Sequence, residues 1–166
     1  HRLDGKPFSG ASERTGPVYN PATGRLAAKV RLAAAADVDE IVASSVAAAA
    51  TWRTSSLATR QRVMFAARQL LVARREEIGA VITSEHGKVL ADAEGEVQRG
   101  LEVLDFACGI PHLLKGGFSE GVSTGIDVYS IRQPLGGVSV VISPFNFPIM
   151  VPLWFVPIAI ACGNAV

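Results

Sequence analysis

The stretch VSVVISPFNFPIMVPLWFVPIAIACGNAV, residues 138–166, decides the fold class. Its first five residues, 138–142, are mostly β-branched and uncharged, which is typical of a central strand in a parallel sheet because helices cover both faces of such a sheet. A turn rich in proline and phenylalanine follows over 143–148, and an apolar helix then runs to Ala161. We therefore expect an α/β protein whose parallel sheet begins at 138–142, with a second strand starting at Ala165.

The absence of charge at this end of the sequence raises the alternative of a membrane span. No Asp, Glu, Lys, Arg or His occurs after Arg132. A span needs roughly 20 apolar residues, whereas the most apolar part, Phe147 to Cys162, is 16 residues long and contains three prolines. Prolines leave backbone carbonyls without donors in lipid. A strand and a helix buried in a soluble domain are the better interpretation.

Composition excludes several classes of function. The chain has 166 residues, of which 49% are hydrophobic and 19% charged, with a formal net charge of +1. Such a chain is too apolar for a disordered tail and lacks the basic stripe that nucleic-acid binding needs. Two cysteines and three scattered histidines form no metal-ligand pattern, and so few cysteines favour a reducing, cytoplasmic compartment. No export signal opens the sequence.

The first 35 residues predict short strands and turns. Asp4-Gly5 is a typical hairpin turn, and the cluster at 20–24, Asn-Pro-Ala-Thr-Gly, predicts a second turn between two β-prone stretches.

Helical periodicity dominates the next part of the chain. Asp37, with Glu40 three residues later, is the predicted N-cap of the first helix, and Gly87 is expected to end the third. The glycine-rich interval 109–125 is expected to break the helical run, and a half-exposed strand is predicted at 128–133. The four helices are expected at about 37–52, 59–74, 76–85 and 89–107.

The turn at 143–148 holds two polar side chains at the carboxyl end of the predicted strand, where open α/β sheets bind ligands. One of them, Asn146, carries a neutral amide that could stabilise an oxyanion in a dry pocket. Alternatively, Asn146 caps the helix that follows. The other polar residue is Ser143, and the sequence pattern alone leaves both interpretations of Asn146 open.

Arg99, on the fourth predicted helix, also allows two interpretations. It could form a surface ion pair with Glu96 or Glu102 at helical spacing, which would contribute little. It could instead bind a substrate carboxylate in a bidentate clamp. Cys108 and Cys162 lie in or beside apolar helical stretches and are expected to be buried, unreactive thiols.

Several segments together resemble the aldehyde dehydrogenase superfamily. They are EHGK at 85–88, LADAEGEVQRG at 90–100, and PFNFP at 144–148 followed by CGN at 162–164. The turn at 20–24 fits the same pattern. Within the superfamily, the helix ADAEGEVQRGLEV and the strand YSIRQPLGG are most similar to the CoA-acylating, methylmalonate-semialdehyde branch.

The resemblance assigns roles to particular residues. Asn146 would be the side-chain half of an oxyanion hole, and Ser143 and Phe145 would line the nicotinamide-ribose part of an NAD site through their backbones. Ser143 stands where alanine is common in this branch, a change that leaves the backbone contact intact. Arg99 matches an arginine that binds the carboxylate of the substrate. No metal site is implied.

The resemblance also implies an organisation in which this chain is the N-terminal part of a longer enzyme. Residues 1–35 would be N-terminal arm strands, 36–125 the helical part of the cofactor domain, 126–134 an oligomerisation strand, and 135–166 the first strand–helix unit of a Rossmann-like, NAD-binding fold. The nucleophilic cysteine and the general base would lie beyond Val166. This stretch alone would therefore catalyse nothing.

The implied reaction is oxidation of a small semialdehyde with NAD, through a cysteine thioester that passes to CoA. The protein would be a homo-oligomer, dimer or tetramer, with no nucleic-acid or membrane partner. A hydrolytic member that releases a free acid is the first alternative. A binding or assembly module without catalysis is the second, if these residues were the whole protein.

Overall fold

A computed structural model describes residues 1–166 and contains five helices and three antiparallel hairpins. The helices are α1 Ala35–Trp52, α2 Leu57–Ala73, α3 Arg75–His86, α4 Leu90–Leu113 and α5 Met150–Ala161. The strands are β1 Arg2–Leu3, β2 Lys6–Pro7, β3 Thr15–Tyr19, β4 Leu26–Arg31, β5 Gly117–Ser123 and β6 Ile126–Ser130. No helix has the length and apolar character needed to cross a membrane.

The two N-terminal hairpins form at the predicted turns. Asp4 and Gly5 both adopt positive φ angles, 51° and 73°, and join β1 to β2 in a two-residue turn. In the turn between β3 and β4, the Asn20 side-chain oxygen accepts hydrogen bonds from the N–H groups of Ala22 and Thr23, at 2.9 and 3.1 Å. The prediction of short strands within residues 1–35 is confirmed.

The prediction that Asp37 is the N-cap of α1 is wrong. The helix begins at Ala35, and Ala34 is its N-cap. The Asp37 carboxylate instead reaches back and accepts hydrogen bonds from the N–H groups of Ala34 at 2.7 Å and Ala11 at 2.6 Å. The bond from Ala34 is the main reason that the pKa of Asp37 lies below its ordinary value. Asp37 therefore fastens the β-rich N-terminal segment to α1.

α4 continues six residues past its predicted end, through Gly109 and Pro111. The reason is packing: Cys108 and Ile110 extend the buried stripe of the helix. The Gln61 side chain donates to the Cys108 carbonyl at 2.9 Å, beside the proline that interrupts the backbone hydrogen bonds. Tertiary contacts thus outweigh the local signals for a helix end.

The glycine-rich interval after α4 contains a strand that was not predicted. β5 pairs with β6 in an exposed antiparallel hairpin. Gly116 lies so close to the Ser130 carbonyl that no Cβ would fit there. The predicted strand at 128–133 is present but shifted, since it starts at Ile126 and ends at Ser130.

α4 is the centre of the helical part, and α2, α3 and α5 pack around it. Gly100 lets α5 approach closely, since a Cβ at that position would lie 3.1 Å from the Leu153 Cβ. The buried core is formed by Met64, Ile82, Ala93, Val97, Leu101, Leu104, Ala107, Cys108, Ile110 and Ala161.

The predicted parallel pairing is present as a single bridge. Val138 pairs in parallel with Ala165, and the Ser139 N–H donates to the Ala165 carbonyl at 2.9 Å. Beyond that bridge the segment has no partner, and Val140 and Ile142 are 75% and 89% exposed. The fold is therefore α/β, with the beginning of a parallel sheet followed by a crossover helix.

We expect opposite stability effects from alanine at two glycines of α4 in the complete protein. Gly95→Ala places a methyl group in open space and should stabilise the helix by up to about 1 kcal/mol. Gly100→Ala forces Leu153 to shift, and overpacking of this kind costs about 1–3 kcal/mol. Thermal unfolding midpoints provide the comparison. Equal midpoints for the two variants would contradict the close α4–α5 contact.

Candidate active site

Residues 138–142, which carry the parallel bridge, are called the β segment, and the turn between them and α5, residues 143–149, is called the elbow. Two prolines, Pro144 and Pro148, restrict its backbone. The Ser143 hydroxyl donates across the turn to the Pro148 carbonyl at 3.0 Å. The elbow is thus a closed, stiff loop that leaves the carboxyl end of the β segment, where α/β folds bind their ligands.

A buried ion pair fastens the elbow to α4. The Glu96 side chain is 0% exposed, and its Oε2 lies 2.7 Å from the Lys88 Nζ. Its Oε1 accepts the N–H groups of Ile149 and Met150, at 2.9 and 3.2 Å. Lys88 in turn donates to the carbonyl of Asn146 at 2.8 Å. One carboxylate therefore satisfies the start of α5 and orients the lysine that holds the elbow.

The charge on Glu96 is maintained by these partners. Burial opposes the charged form, but the hydrogen bond from Lys88 and those from Ile149 and Met150 outweigh it, so the pKa of Glu96 lies below its ordinary value. The site thus holds a buried carboxylate that is ionised at neutral pH, with Lys88 as its counter-ion.

The Phe147 ring of the elbow lies close to two cationic side chains, Lys88 and Arg99. The ring lies 4.7 Å from the Lys88 Nζ and 5.8 Å from the guanidinium carbon of Arg99. Arg99 is exposed and forms no ion pair, so the suggested pairing with Glu96 or Glu102 is absent from the structure. Its guanidinium is free to receive an anion beside the elbow.

Asn146 presents its side-chain amide without a partner inside the chain. Its backbone carbonyl is held by Lys88, while the residue is exposed and its amide makes no hydrogen bond. The alternative, that Asn146 caps the following helix, is wrong: α5 has Ile149 at its N-cap and no side-chain cap bond. Glu96 takes the helix-capping role instead.

Ser143 and Phe145 leave backbone groups available. The N–H and carbonyl of each residue form no hydrogen bond within the chain. The Phe145 ring stacks on His86 with centroids 4.9 Å apart, and both rings line a cavity of about 420 Å³ that also reaches Ser143 but not Asn146. The cavity is therefore lined by the elbow on one side, and Asn146 lies outside its lining.

The two cysteines are unsuited to nucleophilic attack. Burial raises the pKa of Cys108 and also that of Cys162, so neither thiol is activated. No group of three or more His, Cys, Asp or Glu side chains is placed to hold a metal ion.

A model of the aldehyde dehydrogenase family matches residues 8–166. The chain belongs to this family.

Named relatives of this aldehyde dehydrogenase chain carry a narrower description. It is 44% identical over 162 residues to malonate-semialdehyde dehydrogenase 2 of Geobacillus thermodenitrificans, covering 98% of this chain and 33% of the relative. It is 41% identical to the mitochondrial, acylating methylmalonate-semialdehyde/malonate-semialdehyde dehydrogenase of Mus musculus, again covering 98% of this chain and 30% of the relative. The chain therefore spans about a third of the length of the curated relatives that it matches.

Solved structures show the same correspondence. A Sinorhizobium meliloti 1021 protein described as a methylmalonate-semialdehyde dehydrogenase, complexed with NAD, superposes with a TM-score of 0.94 at 47% identity. Methylmalonate-semialdehyde dehydrogenase of Oceanimonas doudoroffii superposes with a TM-score of 0.93 at 44% identity. Both matches cover 98% of this chain and 33% of the other. The chain thus has the fold of the N-terminal part of an aldehyde dehydrogenase.

The sequence analysis did not identify Lys88 and Glu96 as the residues that hold the elbow of this aldehyde dehydrogenase chain. Glu96 was considered only as a possible surface ion-pair partner of Arg99. Its spacing offered a signal, since Ala93, Val97 and Gly100 share its buried face at intervals of three and four residues. A carboxylate on an apolar helical stripe needs a buried partner.

The low pKa of Glu96 predicts a pH-dependent contribution to stability. Because the folded-state pKa is depressed, the contribution is present above the unfolded value of about 4.3 and is lost as the pH falls through the folded value. Glu96→Gln should cost about 3 kcal/mol near pH 7, and the difference from the unsubstituted protein should shrink below about pH 4.

The measurement is the unfolding midpoint of the complete protein between pH 7 and pH 3. Glu102→Gln, which removes an exposed carboxylate from the same helix, is the matched control and should show no such convergence. A Glu96→Gln deficit that stays constant down to pH 3 would contradict an ionised Glu96.

Proposed function

We propose that this chain is the N-terminal part of an NAD-dependent, CoA-acylating malonate- or methylmalonate-semialdehyde dehydrogenase. The observation that carries the proposal is the elbow: Asn146 has an amide without a partner in the chain, and the unpaired guanidinium of Arg99 lies 5.8 Å from the ring of the next residue, Phe147. One group suits a reacting carbonyl and the other suits a carboxylate. A semialdehyde of a dicarboxylic acid carries both.

Asn146 would stabilise the oxyanion. When a cysteine thiolate attacks an aldehyde, negative charge develops on the carbonyl oxygen, and a fixed amide donor stabilises that charge without being charged itself. The Asn146 backbone is held by Lys88, so its amide needs little reorganisation during the reaction. The thiolate would come from a residue outside 1–166, since burial raises the pKa of both Cys108 and Cys162.

Arg99 would bind the substrate carboxylate. Its guanidinium is exposed and has no carboxylate partner within the chain. Planar guanidinium groups bind carboxylates through two parallel hydrogen bonds. The guanidinium lies 5.8 Å from the Phe147 ring of the elbow, which supports carboxylate binding beside the elbow; the bound carboxylate would orient the aldehyde carbon toward Asn146.

Ser143 and Phe145 would contact NAD through their backbones. Their N–H and carbonyl groups are unpaired at the carboxyl end of the β segment, which fits a polar, ribose-bearing ligand at the site expected of such folds. When bound, NAD would supply the hydride acceptor that oxidation of the substrate needs. The protein groups of the elbow hold their positions throughout, because Ser143 and Glu96 close the turn from both sides.

CoA would accept the acyl group, with loss of carbon dioxide, to give acetyl-CoA or propionyl-CoA. The mouse relative is described as acylating, which supports this choice over hydrolysis to a free acid. The two outcomes differ in one observable, since only the acylating enzyme releases its product faster when CoA is added. A binding or assembly module without catalysis is not supported by the family membership of the chain.

The hairpins suggest how copies of the enzyme associate. The β5–β6 pair is exposed along its whole length, and exposed strand edges are ready to pair with another chain. We propose a homo-oligomer, dimer or tetramer, in which residues 1–35 and 126–134 form the arm. The helices α1 to α4 within 36–125 and the strand–helix unit 135–166 would belong to the cofactor domain of a cytoplasmic enzyme.

Asn146→Ala in the complete enzyme should lower kcat by about 10²–10³-fold, since one oxyanion donor is lost. Asn146→Asp keeps the shape, removes the donor and should be at least as impaired. Steady-state kinetics with saturating NAD provide the measurement, and circular dichroism checks the fold. Unchanged turnover in a folded Asn146→Ala enzyme would exclude the proposed role.

Arg99→Ala should affect substrates according to their charge. With methylmalonate semialdehyde, kcat/KM should fall by about 10–100-fold, because a charge-assisted hydrogen bond contributes about 1.5–3 kcal/mol. With propanal, which lacks the carboxylate, kcat/KM should change less than about 2-fold, within the range of an ordinary surface substitution. An equal loss on both substrates would exclude carboxylate binding by Arg99.

A further inference from the structure

The buried pair of Lys88 and Glu96 holds both ends of the segment that carries Asn146. We propose that Lys88 and Glu96 are positioning residues, which fix the orientation of the Asn146 amide for the reaction. This inference rests on the proposed function, in which Asn146 donates to the oxyanion. Neither Lys88 nor Glu96 touches substrate in this account; both act through the elbow.

The upstream end of the segment is held through the Asn146 carbonyl. Lys88 donates to this oxygen at 2.8 Å, and no other hydrogen bond reaches Asn146. The carbonyl carbon and the Cβ of Asn146 are both bonded to its Cα, so a shift of the Cα on loss of this hydrogen bond also moves the amide. Misplacement of a reacting group by about 1 Å can cost about 10²-fold in rate.

The downstream end is held through two peptide N–H groups. Glu96 accepts from Ile149 and Met150 with one oxygen, and contacts Lys88 with the other. Only two residues, Phe147 and Pro148, lie between the anchored Asn146 carbonyl and the anchored Ile149 N–H. Proline restricts the backbone there, and the Phe147 ring lies 4.7 Å from the Lys88 Nζ. The pair thus restrains the peptide groups on both sides of Phe147.

Because Lys88 and Glu96 are both largely buried, the loss of one charge also affects the other. The Lys88 side chain is 11% exposed and that of Glu96 is 0% exposed. Removing either charge leaves the other with poor solvation, so water does not readily replace the lost partner. Loss of Lys88 also leaves the Asn146 carbonyl without its only donor inside the chain.

A merely structural role would make a different prediction. If the pair only joins α4 to α5, its loss lowers stability and reduces turnover by the same factor whether or not Asn146 is present. A positioning role requires the effect on turnover to pass through Asn146. A double-mutant cycle between Lys88 and Asn146 separates the two.

The experiment uses the complete enzyme with Lys88→Met, which keeps an aliphatic side chain next to Phe147. We expect kcat to fall by about 10–100-fold, with the KM for NAD changed less than about 2-fold, because the backbones of Ser143 and Phe145 are unaltered. In an Asn146→Ala background, Lys88→Met should lower kcat by less than about 2-fold further, since coupled residues are not additive.

Arg75→Met is the matched control. Arg75 pairs with Glu94 between α3 and α4 at 3.2 Å, so its loss breaks another ion pair of α4, away from the elbow. This variant should leave kcat unchanged. If Lys88→Met yields no folded enzyme, Glu96→Gln replaces it, with the same kcat losses expected in the two backgrounds, since glutamine still offers an oxygen to Ile149 and Met150 but lacks the charge that holds Lys88.

The positioning role would be overturned if Lys88→Met lowered kcat equally in the unsubstituted and Asn146→Ala enzymes, or did not lower kcat in the unsubstituted enzyme. Either result would leave the oxyanion role of Asn146 intact. If Asn146→Ala alone leaves kcat unchanged, the proposed function fails and the positioning role fails with it.

Discussion

The structure depends on the burial of one carboxylate, that of Glu96. An ionised carboxylate removed from water is costly unless charge and hydrogen bonds compensate it. Here the compensation comes from an ammonium group and two peptide N–H groups. These partners belong to the segment after α3 and to the start of α5, so the need to satisfy one side chain fixes how three parts of the chain meet.

The turn that places Lys88 begins with Gly87, whose φ of 88° ends α3 in the left-handed conformation. The chain then reverses into α4, and the lysine points back toward the elbow. Gly100, one turn beyond Glu96, lets α5 lie close to α4. The distance between the helices and the anchoring of the elbow are therefore set by residues on the same face of α4.

The chemistry follows from what this anchoring leaves free. Asn146 keeps its amide and Arg99 its guanidinium, while Ser143 and Phe145 keep their backbone groups. A stiff backbone with unpaired polar groups is a preorganised site, because orienting the groups is not part of the reaction. In the proposed function, this arrangement lets a short apolar turn with a single amide side chain serve the reaction.

The sequence predicts the parts of the fold whose signals are local. The Asp4-Gly5 turn, the C-terminal stop at Gly87 and the course of α5 all depend on nearby residues, and all are confirmed. The end of α4 was predicted wrongly because packing of Cys108 and Ile110 outweighs Gly109 and Pro111.

In the candidate site, too, some residues could be predicted from the sequence and others could not. Asn146 and Arg99 stand out by residue type and motif, so sequence reasoning selected them. The link from Lys88 to Glu96 joins residues eight apart, and the links from there to the elbow span more than fifty positions. No local pattern encodes such contacts, since they exist only after α4 and α5 have packed.

The central claim is that the elbow directs the Asn146 amide at the reacting carbonyl. A crystal structure of the complete enzyme with its acyl-cysteine intermediate trapped tests this most directly. The account predicts the Asn146 side-chain nitrogen at about 2.7–3.1 Å from the thioester oxygen. An amide turned away from that oxygen, beyond hydrogen-bonding distance, would contradict it.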